Sequence, residues 1–184
     1  MRFNFVDRIL AIEPGSKITT VKCLSMAEEY LADHFPRFPV MPGVLMLEAM
    51  TEAGAWLVRV TEDFSHSIVT LKEARNVRFA DFVQPGRVLT VNAEILKADD
   101  EAVQVKTQGL VAGRVAVSGR LSIERYNLSD SRADMTGTDE YLKQSFRAQF
   151  TQIYQPDIDA DATGGSPLLT AAAGTDGKPA EENV

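Results

Sequence analysis

The sequence predicts an α+β domain, an antiparallel sheet with one long helix inserted early in the chain. Three observations carry this. Residues 43–60 repeat apolar side chains at helical spacing around most of the circumference, as a helix buried on most sides does. Residues 88–98, 102–111 and 114–126 read as long strands, separated only by Asp99-Asp100-Glu101 and Ala112-Gly113. Such short connections suit hairpins and leave no room for parallel crossovers.

In chain order, 5–13 reads as a strand, Pro14-Gly15-Ser16 as a turn, and 17–24 as a second strand. Residues 27–31 read as one short helical turn. Pro36, Pro39 and Pro42 then rule out a helix or a central strand and predict a stiff, shaped loop from His34 to Gly43. Pro42 suits the first turn of the helix that follows. Two further strands are expected at 67–75 and 77–82, with Pro85-Gly86 as the next turn. Residues 1–127 form the core domain in this reading. Residues 128–154 form a polar linker and an amphipathic helix, with Leu142, Phe146, Phe150 and Ile153 on one stripe. Residues 155–184 read as a disordered acidic tail.

Of the formal charge of -7, the segment 128–184 contributes -6, from 4 Lys/Arg against 10 Asp/Glu. The acidity argues against nucleic acid as a partner. One cysteine, Cys23, rules out an intrachain disulfide, suits a reducing compartment, and in a strand reads as buried and inert. With only two histidines, a His-rich metal site is excluded. Asp157-x-Asp159-x-Asp161 fails as a calcium loop, because Ala162 and Leu168 stand where glycine and glutamate are needed. No membrane-spanning apolar run and no leader-like start are found, so a cytoplasmic protein without membrane insertion is expected.

Glu48 stands out in the apolar helix. With Thr51, Glu52, Ala55 and Arg59 it falls on one narrow stripe. Periodicity leaves two readings open: a solvated stripe, or a carboxyl group kept protonated by burial and by Glu52 one turn on. His34 sits in the proline-braced loop, and histidine is the side-chain type that suits proton abstraction. Gly43 opens the helix, where free N–H groups polarise a carbonyl or are simply a turn feature.

Read together, the run from His34 through the three prolines and Gly43 to Glu48, Ala49 and Met50 resembles the signature of the FabZ-type (3R)-hydroxyacyl-[acyl-carrier-protein] dehydratases. Segments 6–15, 77–79 and 83–86 are similar to that family's strands, and the resemblance spans about 5–124. It implies a hot-dog fold, with a C-terminal helix and tail added here. It implies homodimers with shared active sites, often assembled as trimers of dimers, and neither cofactor nor metal. The implied substrate is a 3-hydroxyacyl thioester on acyl carrier protein. His34 would take the C2 proton, Glu48 of the other subunit would protonate the leaving hydroxyl, and Gly43 would polarise the thioester carbonyl. Phe35, Phe38, Met50 and Phe79 are the expected walls of an acyl pocket.

Arg37, Thr51-Glu52 and Arg87 depart from the family pattern, and an Arg37–Glu52 ion pair is one expectation. Lys72, Arg75, Arg78, Arg87 and Arg37 form a candidate basic patch for the acidic carrier. Two alternatives stand beside fatty-acid synthesis: a hot-dog dehydratase for a specialised lipid or polyketide intermediate, and a non-catalytic hot-dog scaffold. A thioesterase fits the signature less well.

Overall fold

A computed structural model describes residues 4–154. Its six strands are β1 (Arg8–Glu13), β2 (Lys17–Cys23), β3 (Ile68–Phe79), β4 (Val88–Ala98), β5 (Ala102–Val111) and β6 (Arg114–Tyr126). They form one antiparallel sheet in the order β1-β2-β4-β5-β6-β3. Helix α1 (Gly43–Thr61) runs through the sheet's concave side, and helix α2 (Thr136–Ile153) packs against α1 through Phe146 and Trp56. The architecture is the expected α+β hot-dog fold.

Helix α1 is pressed against the sheet at Gly54. A Cβ there would lie 2.5 Å from Ile123 Cδ1 and 3.3 Å from Val105 Cγ2, so a side chain at this position would force Ile123 to shift. The core around it comprises Met50, Leu57 and Val58 of α1 with Leu89, Val91, Val105, Leu121 and Ile123 of the sheet. Hairpin β5–β6 turns on Ala112 (φ 48°) and Gly113 (φ 77°), the double left-handed conformation that matches strand twist.

Four expectations are corrected. The strands read at 67–75 and 77–82 are one strand, β3. Asn76 takes φ 54° and the register with β6 shifts between Arg75 and Arg78, so a bulge absorbs the irregularity without ending the strand. Strand β1 begins only at Arg8, although Phe5 and Val6 are already buried in the core. Cys23 is exposed, because it is the last residue of β2 and its side chain falls on the outward side. The segment 127–135, expected as polar linker, has regular local structure. It makes two short 3₁₀ turns, the first closed by reciprocal hydrogen bonds between Asn127 and Asp130. The expected tail at 155–184, with its acidic triplet, lies outside the described residues.

Asp139 fastens α2 to the body. Its side chain is almost completely buried and accepts hydrogen bonds from Ser67 Oγ (2.5 Å), Leu128 N–H (2.9 Å) and Ser129 N–H (2.9 Å). Burial alone would raise its pKa. These hydrogen bonds outweigh burial and hold the carboxyl below the usual range. At the other end, Tyr154 bridges Ile9 on β1. Between the two ends, Trp56, Phe64, Phe146, Phe150 and Tyr154 form a chain of ring contacts with centroids 5.1–6.2 Å apart.

Candidate active site

The loop before α1 is rigid from within. His34 N–H donates to Tyr30 O, Val40 N–H to His34 O, and Phe35 and Phe38 exchange backbone hydrogen bonds. Met41 N–H ties the loop to Val83 O at 2.8 Å. Upstream, the buried Lys22 ammonium pairs with Asp7 (3.2 Å) and Glu28 (3.0 Å). Desolvation would lower its pKa, but the two carboxylates prevail and raise it.

The half-buried His34 ring has its Nδ1 3.0 Å from Val40 O and stacks on Phe35 at 4.3 Å. A carbonyl only accepts, so Nδ1 carries the hydrogen and Nε2 keeps its lone pair. In its neutral form the imidazole is therefore held as the Nδ1–H tautomer.

Gly43 is the first residue of α1, and its N–H belongs to the helix turn without intrahelical acceptors. A Cβ at Gly43 would meet the Phe79 ring at 3.1 Å. Phe79 is itself half exposed, as are Phe35 and Phe38. Phe38 meets the exposed Phe82 edge-on at 5.5 Å, so the mouth of the helix is ringed by solvent-facing aromatics. Met50 sits elsewhere: it is fully buried in the core, and Thr107 Oγ1 donates to its Sδ at 3.2 Å.

Glu48 is exposed on the outer face of α1, and no hydrogen bond joins it to His34 within the chain. The stripe it heads is not simply solvated. Thr51, Ala55 and Arg59 are buried, and together with α2 the stripe lines a groove of about 620 Å³. Burial acts on Glu52. Glu52 rises from 4.5 to about 7, mainly through desolvation and further through the nearby Glu48 charge, with the Phe5 and Val6 N–H groups opposing. Its Oε2 accepts from Phe5 N–H at 2.9 Å. The Arg37–Glu52 ion pair is not formed within the chain among the described residues. The expected basic patch is partly neutralised, since Lys72 pairs with Glu101 and Arg75 with Glu73.

Sequence reasoning missed the cover over the stripe. The only hint was that Phe146 and Phe150 on a polar helix need an apolar partner, which Trp56 supplies.

A FabA-like domain profile matches residues 1–120. The FabZ 3-hydroxyacyl-[acyl-carrier-protein] dehydratase of Ruminiclostridium cellulolyticum is 37% identical over 119 residues, covering 65% of this chain and 84% of its own. That of Nitrosospira multiformis is 38% identical over 119 residues, covering 63% and 82%. Among solved structures, the dehydratase heterocomplex ApeI:P from Xenorhabdus doucetiae superposes with a TM-score of 0.58 at 18% identity, covering 72% of this chain and 90% of that one. A Streptococcus mutans protein bound to acetyl CoA gives 0.53 at 9% identity, covering 68% and 92%. These two show the fold.

The chain belongs to the FabA-like family of hot-dog proteins. Within it, the chain is a dehydratase of the FabZ type, a hydro-lyase.

Proposed function

We propose that this enzyme dehydrates (3R)-hydroxyacyl groups carried on acyl carrier protein to trans-2-enoyl groups, in fatty-acid synthesis, at sites shared between two chains. The observation that carries the residue roles is the Nδ1 contact of His34 to Val40 O, which leaves Nε2 as the acceptor. The Gly43 N–H draws charge onto the thioester oxygen and acidifies C2. Nε2 of His34 takes the C2 proton. As the C2–C3 double bond forms, the C3–O bond breaks, and Glu48 of a second chain gives its proton to the departing hydroxyl, which leaves as water. The carboxyl is then restored by the proton held on His34. This chemistry needs neither a metal nor a redox cofactor. The exposure of Glu48, with no hydrogen bond to His34 within one chain, supports the shared site, and the exposed Phe35, Phe38 and Phe79 suit the thioester arm and acyl chain.

His34→Ala and Glu48→Gln each lose about 10²–10⁴ in dehydration of 3-hydroxyacyl-carrier substrates while remaining folded. Mixing the two inactive variants with subunit exchange returns about a quarter of wild-type activity, because each mixed dimer rebuilds one intact site of two. Full activity of either variant refutes the roles. No recovery on mixing refutes the shared site.

A further inference from the structure

The groove between α1 and α2 is continuous with Glu48 at one end and reaches Arg59 at the other. Arg59 lies eleven positions along α1 from Glu48, about 16 Å at the helical rise. Its environment is unusual for a cation. The residue is only 9% exposed. Glu52, on the same stripe and in the same groove, acts on its charge through space, but among the described residues no carboxylate forms an ion pair with it. The guanidinium is stacked over Phe146 at 3.9 Å and faces Trp56 at 5.7 Å. The rings hold its plane but satisfy none of its N–H edges. One nitrogen donates to Val69 O at a long 3.4 Å, and the buried Nε has no partner. An arginine used only to anchor α2 would cost least with its edge donors satisfied. Here a buried fork of donors lines an open groove, flanked by Thr51, Ser145 and Gln149.

We propose that this groove takes the distal end of the acyl chain, and that Arg59 selects substrates whose distal end carries a carboxylate. The proposal rests on the dehydratase reading above and names the substrate class that reading leaves open. An arginine fork pairs with a carboxylate through two parallel hydrogen bonds, whereas a methyl end placed there leaves the buried donors unpaired.

The test compares kcat/KM of the full-length enzyme for pairs of 3-hydroxyacyl-carrier substrates of equal length, ending in methyl or in carboxylate. The carboxylate-ended member is favoured about tenfold or more, with the preference greatest at the length that spans Glu48 to Arg59. Arg59→Met brings the ratio to about unity, and Arg59→Lys keeps part of it. A methyl preference in the wild type, or an unchanged ratio in folded Arg59→Met, overturns the proposal. If Arg59→Met does not fold, the length scan decides, and a preference independent of length overturns it.

A second readout does not need turnover. Trp56, the one tryptophan of the chain, lines the groove, so its fluorescence reports occupancy. A free long-chain carboxylate shifts it and the alcohol of equal length does not; equal shifts overturn the proposal. Absence of turnover with every substrate would instead defeat the dehydratase reading, with the fluorescence comparison still deciding the groove.

Discussion

Replacing Glu52 by glutamine removes a charge and keeps the shape. The carbonyl of the new side-chain amide can still accept the Phe5 N–H that Glu52 Oε2 accepts now at 2.9 Å. Ionised Glu52 is costly where it stands, because desolvation and the Glu48 charge raise its pKa from 4.5 to about 7. Below the unfolded value both folded and unfolded chains hold the proton, and Glu52 makes no difference to the balance. As pH rises from there through 7, the unfolded chain releases its proton first, so the folded state loses ground. Above 7 both forms are ionised and the penalty is complete. The shift from 4.5 to about 7 corresponds to about 3 kcal/mol, an upper bound because Glu52 borders the groove. Urea melts of wild type and Glu52→Gln at fixed protein concentration should therefore nearly coincide at about pH 4 and separate as pH rises. By pH 8 the variant is more stable by up to about 3 kcal/mol, or roughly 5–10 °C in Tm. Curves that stay parallel from pH 5 to 8 would refute the reasoning.

Gly54→Val drives a branched side chain into Ile123 and Val105 and lowers stability by about 1–3 kcal/mol, read from the denaturation midpoint. Asp139→Ala leaves Ser67 Oγ and two backbone N–H groups without their acceptor. It lowers Tm and speeds amide exchange in α2 before that in α1. Phe146→Ala removes the ring over the Arg59 guanidinium and the edge contact to Trp56, and red-shifts Trp56 emission as water enters the groove. An unshifted emission maximum would show that α2 does not depend on that ring.

Helix α1 and strands β4 to β6 were readable in the sequence because each is bounded by local chemistry. Asp99 Oδ1 accepts from the Glu101 and Ala102 N–H groups, and the Ala112-Gly113 pair turns back on itself. The His34 loop was readable because its prolines leave few conformations. What escaped was non-local. The bulge at Asn76 depends on register with β6, and the exposure of Cys23 on where β2 stops. The fate of the stripe below Glu48 was undecidable by periodicity. Arg59 is buried by Phe146, a residue far along the chain, and no pattern within α1 encodes that contact.

The two edges of the sheet are not equivalent. At β1, Tyr154 already occupies the outer side of Ile9. At β3, a twelve-residue strand borders no further strand among the described residues. Pairing at a sheet edge needs a run of open backbone N–H and C=O groups. The Tyr154 bridge interrupts that run at Ile9 of the six-residue β1, so among the described residues β3 offers the longer uninterrupted outer edge for a further strand.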